Sequence, residues 1–343
     1  MMNGPSGPRK ILIFGHSNIG DACYDLAVVS ALHRRFPKAE IAFLTSLRAR
    51  NVVEHYPGIG ELIVYDRKYR DRGLRKRLAL IRALSRKGYD LAVTLKKSWM
   101  ARFLGIPQRW DLEPFLKGRP PEHLLDTYLG FLRSRGIETD KAAFDFRFTG
   151  AEKAVGDRIL EANRILPGTP LAAILPAAAW SLKGWPTARW NALAEALKTR
   201  FGVRSISVAK PGGRPADKAA ARELSPEIVR ADKTSLREAM ALIQRCRLFI
   251  GPDSSLLHLA SCMGVESIGL YGPTSPGKFY PYFHKENTVT TDRKLDCMPC
   301  YPRFENFPCG KEPHRLYGVF MESLSVEKVL AAAEGRLQAV GAA

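Results

Sequence analysis

Between Ile250 and Ala260 the sequence reads IGPDSSLLHLA. The preceding RLFI has the apolar continuity of a buried strand, and LLHLASCMG continues at helical spacing. Gly251, Pro252, Asp253, Ser254 and Ser255 therefore fall at the mouth of a helix. A helix start needs one capping side chain, and Asp253 or Ser254 would serve. The other polar groups suit a different task. Unpaired first-turn N–H groups and the positive end of the helix dipole form an anion site matched to a diphosphate. Ser254 and Ser255 add hydroxyl donors and leave room for close approach, and His258, one turn on, can face the same ligand. A Ser-His-Asp hydrolase fits poorly, because Ser255 and His258 share one helix and no Gly-x-Ser-x-Gly elbow occurs. The Gly/Pro-rich GLYGPTSPGKFYP (269–281) follows. It reads either as a plain connecting turn or as a loop whose Thr274 and Ser275 contact phosphate or sugar.

Two further turns carry candidate chemistry. GHSNIGDA (15–22) follows the run KILIF and opens a helix, where α/β folds bind ligands. Its spacing imitates a nucleotide P-loop, but the lysine position holds Asp21, whose carboxylate would repel phosphate. No Gly-x-Gly-x-x-Gly fingerprint occurs either. Asp21 then either complements the helix dipole or acts as a general base toward a cleft. LPAAAWSLKGWP (175–186) occupies the same place after a later strand. Its Lys183 is either solvated or reaches a phosphate, with Trp185 and Trp190 as packing anchors. CMPCYPRFENFPCGKEPH (297–314) contains Cys297, Cys300, Cys309 and His314, a zinc-like set whose second half lacks a matching pair. Reduced thiols in a packed loop are the alternative. Cys23, Cys246 and Cys262 read as core residues.

The elements that must position these groups follow an α/β pattern. Short runs rich in β-branched residues occur at 10–14, 40–44, 61–65 and 90–95, and again at 171–175, 204–209, 247–251 and 266–272. Helical stretches are expected at 20–35, 123–136, 187–200, 215–224, 235–245 and 255–263. Strand–helix alternation predicts parallel sheets, and two series predict two Rossmann-like domains. The expected boundary is the Pro/Gly cluster NRILPGTP (163–170), which gives domains 1–165 and 166–324 and a C-terminal helix over 325–343.

Composition narrows the class. The chain has 343 residues, 45% hydrophobic and 25% charged, which fits a soluble globular enzyme. No apolar run approaches the ~18 residues of a membrane span. The N-terminal apolar run of four residues is too short for a secretory signal, so a cytoplasmic protein with reduced cysteines is expected. The net charge is +19. Residues 67–119 hold 16 Lys and Arg against four Asp and Glu, densest in DRKYRDRGLRKR (66–77). This run is either a solvated face or a site for an anionic acceptor or membrane surface. Nucleic acid ranks last, since no zinc-finger spacing or RNA-recognition signature accompanies it.

The segments ILIFGHSNIGDACYDLAVVSALHRRFPKAEIAFLT, LPAAAWSLKGWPTARWNALAEAL and FIGPDSSLLHLASCMGVESIGLYGPTSP together resemble glycosyltransferase family nine, the heptosyltransferases of lipopolysaccharide core assembly. The late cysteine cluster also occurs in that family. The resemblance implies a GT-B fold of two facing Rossmann-like domains with parallel sheets. The N-terminal domain would bind the acceptor and the C-terminal domain the nucleotide sugar. It implies inverting transfer without a catalytic metal or other cofactor, from a donor of the ADP-heptose type to an anionic lipid A–Kdo type acceptor. Asp21 matches the family's proposed base, Lys183 its phosphate-binding lysine, and Asp253, Ser254, Ser255 and His258 its donor loop. Thr274 would join the donor site. Two departures stand out. Where some members place a glutamate on the ribose, this chain has KPGGRPADKAA (210–220), with Asp217 the nearest candidate, and PDSS replaces a threonine-glycine form. Ser17, Asn18, Arg72, Arg75, Arg77, Lys96 and Lys97 are the expected acceptor contacts, with peripheral association at the cytoplasmic face of the inner membrane. The rival expectations are a nucleotide-sugar epimerase of the same architecture and a non-catalytic anion- or nucleic-acid-binding protein.

Overall fold

The computed structural model describes residues 7–66, 70–178, 180–209, 222–292, 298–300 and 320–341. The chain divides into two compact units, Met1–Arg147 and Phe148–Ala343.

The first unit holds five parallel strands, β1 (Lys10–Phe14), β2 (Glu40–Thr45), β3 (Glu61–Val64), β4 (Leu91–Thr94) and β5 (Gln108–Asp111), in the order β3-β2-β1-β4-β5. Ile11–Phe14 and Leu91–Val93 are fully buried. A central parallel strand is covered on both faces, so it reads as an unbroken apolar run. One face of the sheet packs Leu12, Phe14 and Leu44 against Ile81 and Leu84 of the helix Leu74–Ser85. The helix Ile19–Arg35 packs against the helix Leu124–Arg133.

The second unit holds β6 (Leu171–Ile174), β7 (Arg204–Ser207), β8 (Val229–Arg230), β9 (Leu248–Pro252), β10 (Glu266–Tyr271) and β11 (Thr288–Thr290). Their order is β11-β10-β9-β6-β7-β8, again all parallel. In both sheets the strand order reverses beside the first strand, at β1/β4 and at β6/β9. Ligands bind at that switch point in open α/β sheets, outside the carboxyl ends of the strands. GHSNIGDA follows β1, Lys96 and Lys97 follow β4, Lys183 follows β6, and Asp253 follows β9.

The division falls after Arg147 rather than near residue 165. The helix Gly150–Ala162 starts with a Thr149/Glu152 capping box and packs on the helix Leu236–Ile243. Arg237 forms an ion pair with Glu152, and Leu160 joins the core of Leu242 and Ile243. The C-terminal helix Val326–Gly341 also belongs to the second unit, where Val329, Leu330 and Ala333 meet Trp190, Leu193 and Leu197. Most of the expected helix at 215–224 lies outside the described residues.

Candidate active site

In the first unit the chain leaves β1 through Gly15. A Cβ there would fall on the Phe43 ring and lie 2.9 Å from Asp25 Oδ2, so only glycine fits. The next residue is bound from behind. Asp25, on the helix Ile19–Arg35, has no exposed surface, yet its carboxylate accepts from the His16 backbone N–H (2.5 Å) and from the Tyr128 hydroxyl (2.6 Å). It also pairs with His16 Nδ1 at 2.9 Å. Burial lowers the His16 pKa, but the charge and hydrogen bond of Asp25 outweigh it, and the net shift is upward. Thr45 Oγ1 donates to the His16 carbonyl at 2.6 Å and Ser46 Oγ to that of Ser17 at 2.8 Å. The turn carrying Ser17 and Asn18 is thus pinned by buried partners on two elements.

Asp21 sits in the first turn of that helix, and Asn18 Nδ2 donates to its Oδ2 at 3.3 Å. Beside it opens a cleft of 540 Å³, walled by Ser17, Asn18, Arg48, Arg77, Lys96 and Lys97 together with Leu47, Tyr65, Asp66 and Trp99. Lys96 Nζ donates to Ser17 Oγ at 3.1 Å, and Lys97 pairs with Glu113 at 3.2 Å. Five of the seven expected acceptor residues therefore meet in one cationic cleft. Arg72 and Arg75 are exposed and outside its walls. Sequence reasoning did not single out His16, Asp25, Tyr128 or Arg48. The one legible signal was Asp25 itself, a carboxylate in the apolar helical run ACYDLAVV.

In the second unit Ser254 caps the helix Ser255–Cys262, its hydroxyl accepting from Leu257 N–H at 3.3 Å. Asp253 stands just before the cap. Its carboxylate binds Lys183 Nζ at 2.7 Å through Oδ2 and lies 3.4 Å from His258 Nε2 through Oδ1. Lys183 Nζ also donates to the Asp253 carbonyl at 3.2 Å. Burial pushes the Asp253 carboxyl up, but the His258 hydrogen bond and the Lys183 charge reverse this and hold it down to about 2.

Lys183 is positioned from both sides in sequence. Leu182 is fully buried against Cys300 and Phe320. Trp185 donates from Nε1 to the Leu324 carbonyl at 2.8 Å and meets Trp190 edge-on at 4.9 Å. Gly251 leaves no room for a side chain, since a Cβ would lie 2.9 Å from Phe249 and 3.1 Å from Leu175. Thr274 is 4% exposed, and its hydroxyl has no hydrogen-bond partner among the described residues. Lys183, Asp253, Ser254 and His258 thus come together at one helix start.

Asp217, Cys297, Cys309 and His314 lie outside the described residues. Cys300 is buried, its N–H bonded to the Pro273 carbonyl at 2.8 Å. Among the described residues no group of three His, Cys, Asp or Glu side chains could hold a metal ion. Cys23, Cys246 and Cys262 are buried in the cores of their units.

The sequence profile of glycosyltransferase family 9 (heptosyltransferase) matches residues 134–309. The chain is 24% identical over 305 residues to lipopolysaccharide core heptosyltransferase OpsX of Haemophilus influenzae, covering 82% of this chain and 84% of the relative. It is 23% identical over 341 residues to lipopolysaccharide heptosyltransferase 1 of Pseudomonas aeruginosa, covering 91% and 92%. Among solved structures, a family 9 glycosyl transferase from Veillonella parvula superposes with a TM-score of 0.79 at 20% identity, covering 96% of this chain and 97% of that one. The E. coli ADP-heptose lps heptosyltransferase II superposes at 0.71 and 21% identity, covering 97% and 99%. The E. coli heptosyltransferase WaaC with ADP superposes at 0.67 and 18% identity, covering 95% and 99%. These likenesses establish the GT-B fold. The family match selects the transferase over the epimerase and the non-catalytic binding protein. With the profile spanning half of its length, the chain belongs to glycosyltransferase family 9, the heptosyltransferases, and is a glycosyltransferase.

Proposed function

We propose that this enzyme transfers heptose from ADP-heptose to an anionic, lipid-linked acceptor of the lipopolysaccharide core, with inversion and without a catalytic metal. The nucleotide of the relative solved with ADP supports the choice of donor, and the names of the relatives support the acceptor class. The observation that carries the reading is the helix start at 253–258. A cation, two hydroxyls and first-turn N–H groups converge there, as a departing diphosphate requires.

In this mechanism the second unit holds the donor. Lys183, Ser254 and Ser255 bind the diphosphate, His258 and Asp253 orient Lys183, and the Thr274 hydroxyl, without a hydrogen-bond partner among the described residues, meets phosphate or sugar. The first unit holds the acceptor, with Ser17, Asn18, Arg77, Lys96 and Lys97 around its anionic groups. The acceptor oxygen attacks the anomeric carbon as Asp21 takes its proton. The bond from that carbon to the diphosphate oxygen breaks, and its electron pair leaves with ADP. No cofactor enters. Direct displacement on the face opposite the leaving group inverts the anomeric centre. The reaction belongs at the cytoplasmic face of the inner membrane, where a lipid-linked acceptor meets a nucleotide sugar. No helix among the described residues is long and apolar enough to cross a membrane.

The test is incubation of the purified chain with ADP-heptose and a lipid A–Kdo acceptor, with products read by mass spectrometry and anomeric configuration by NMR, with and without EDTA. The proposal expects one added heptose of inverted configuration and no loss with EDTA. Retention of configuration, EDTA sensitivity, or free heptose as the sole product would overturn it.

A further inference from the structure

Among the described residues eight large apolar side chains are exposed; four of them line the cleft of the first unit or lie on the helix that borders it, and a fifth, Phe103, packs on the cleft residue Trp99. Single exposed leucines are ordinary on a soluble protein, whereas a gathered set marks an interaction surface. The helix Leu74–Ser85 buries Ile81 and Leu84 in the core but leaves Leu74 64% and Leu78 42% exposed, one turn apart on the same flank. It carries four Lys and Arg and no acidic residue. Arg77 of that helix enters the cleft wall and stacks its guanidinium over Trp99, 5.2 Å from the ring centre. Trp99 meets Phe103 edge-on at 5.5 Å, and both rings are exposed, Phe103 by 63%. Leu47, on the same cleft wall, is half exposed.

Exposed leucines and arginines on a helix without acids, joined through Arg77 to the exposed Trp99 and Phe103 rings, match the chemistry of a bilayer interface. The apolar groups enter the acyl boundary, the indole sits at headgroup level, and the guanidinium groups meet lipid phosphates. A nucleic acid would leave the leucines and Phe103 facing water. A second copy would bring two cationic faces together. We infer that Leu74, Leu78, Trp99 and Phe103, with the surrounding arginines, form the surface by which the enzyme docks on an anionic lipid bilayer, setting the cleft mouth at the headgroups. The inference rests on the proposed function only in giving the adjoining cleft a lipid-linked acceptor. Docking itself needs neither donor nor acceptor.

The experiment is co-sedimentation of the full chain with vesicles of phosphatidylcholine alone or phosphatidylcholine with phosphatidylglycerol, in low and high salt. Binding is expected only to the phosphatidylglycerol vesicles and is expected to weaken in high salt. The double variant Leu74→Asp, Leu78→Asp alters only exposed positions. It should lose at least about tenfold in vesicle partition, given the apolar area it removes. Its thermal melting and its ADP affinity should stay unchanged. Equal partition of the double variant and the wild type would overturn the inference, as would indifference to phosphatidylglycerol. Two other results would overturn it by assigning the face elsewhere. One is DNA binding without vesicle binding, and the other is a dimer that the double variant dissociates. If transfer activity were absent while anionic vesicles still bound through Leu74 and Leu78, the functional reading would fail and the docking surface would stand.

Discussion

Lys183 and Asp253 stand 70 positions apart in the chain, yet the ammonium and the carboxylate meet at 2.7 Å at the head of the helix Ser255–Cys262. The lysine is thereby held at the place where a helix start attracts a diphosphate, and the carboxylate keeps it there until the ligand competes for its donors. In the proposed donor role, replacing Lys183 with alanine removes a charge-assisted phosphate contact worth about 1.5–3 kcal/mol. Calorimetry should show ADP binding weakened by about ten- to a hundredfold, on that estimate. Unchanged affinity would remove Lys183 from the donor site.

Asp253 itself ties this site to acid stability. Its pKa is lowered from 3.8 to about 2 in the folded protein, burial being outweighed by His258 and Lys183. A depressed carboxylate stabilises the fold above its unfolded pKa and loses that contribution as pH falls through the folded value. The window is therefore between about pH 4 and pH 2, and the magnitude is on the order of 2 kcal/mol. Urea unfolding of wild type and Asp253→Asn should show a stability gap that is constant above pH 4 and closes as pH falls toward 2. A gap independent of pH over that range would mean that the carboxylate charge is not what the ion pair uses.

The His16–Asp25–Tyr128 cluster yields a prediction of opposite sign. The His16 pKa is raised, so its stabilising effect is complete below the unfolded value near 6.5 and fades as pH rises through the folded one. Asp25→Asn removes the charge that outweighs burial. NMR titration should then find the His16 pKa below that of the wild type. Asp25→Ala strands the partners of a fully buried carboxylate and should cost about 3–5 kcal/mol by denaturant unfolding. A His16 pKa unmoved by Asp25→Asn would show that this pairing does not govern the turn.

Which of these features the sequence could show depends on how local they are. The turn after β1 and the helix start at 253–255 were legible, because a small-residue turn between an apolar run and a helical period is a local signal. Central strands were legible as unbroken apolar runs. The edge strands β5 (QRWD), β8 (VR) and β11 (TVT) were not, since two to four residues with a solvated side carry no such run. The helix Gly150–Ala162 has a capping box at Thr149, but its membership in the second unit depends on Arg237 and Leu242, more than 70 positions on. The Lys183–Asp253 pair likewise depends on β6 lying beside β9, a fact of strand order. Asp25 was visible as a misplaced carboxylate, but its partners come from the β1 turn and from Tyr128, and no spacing rule links them.

The central claim is that Asp21 is the base of a sugar transfer, and one variant tests it most directly. Asp21→Asn keeps the shape of the side chain and can still bond to Asn18, but it cannot accept the acceptor's proton. General-base assistance is typically worth about 10²–10⁴-fold. Steady-state kinetics with ADP-heptose and a lipid A–Kdo acceptor should therefore show kcat lowered by at least about a hundredfold, with ADP affinity and melting temperature close to wild type. If Asp21 served only the helix dipole, the substitution would cost about 0.3–1 kcal/mol of stability and spare turnover. A variant that melts lower but turns over at the wild-type rate would contradict the mechanism.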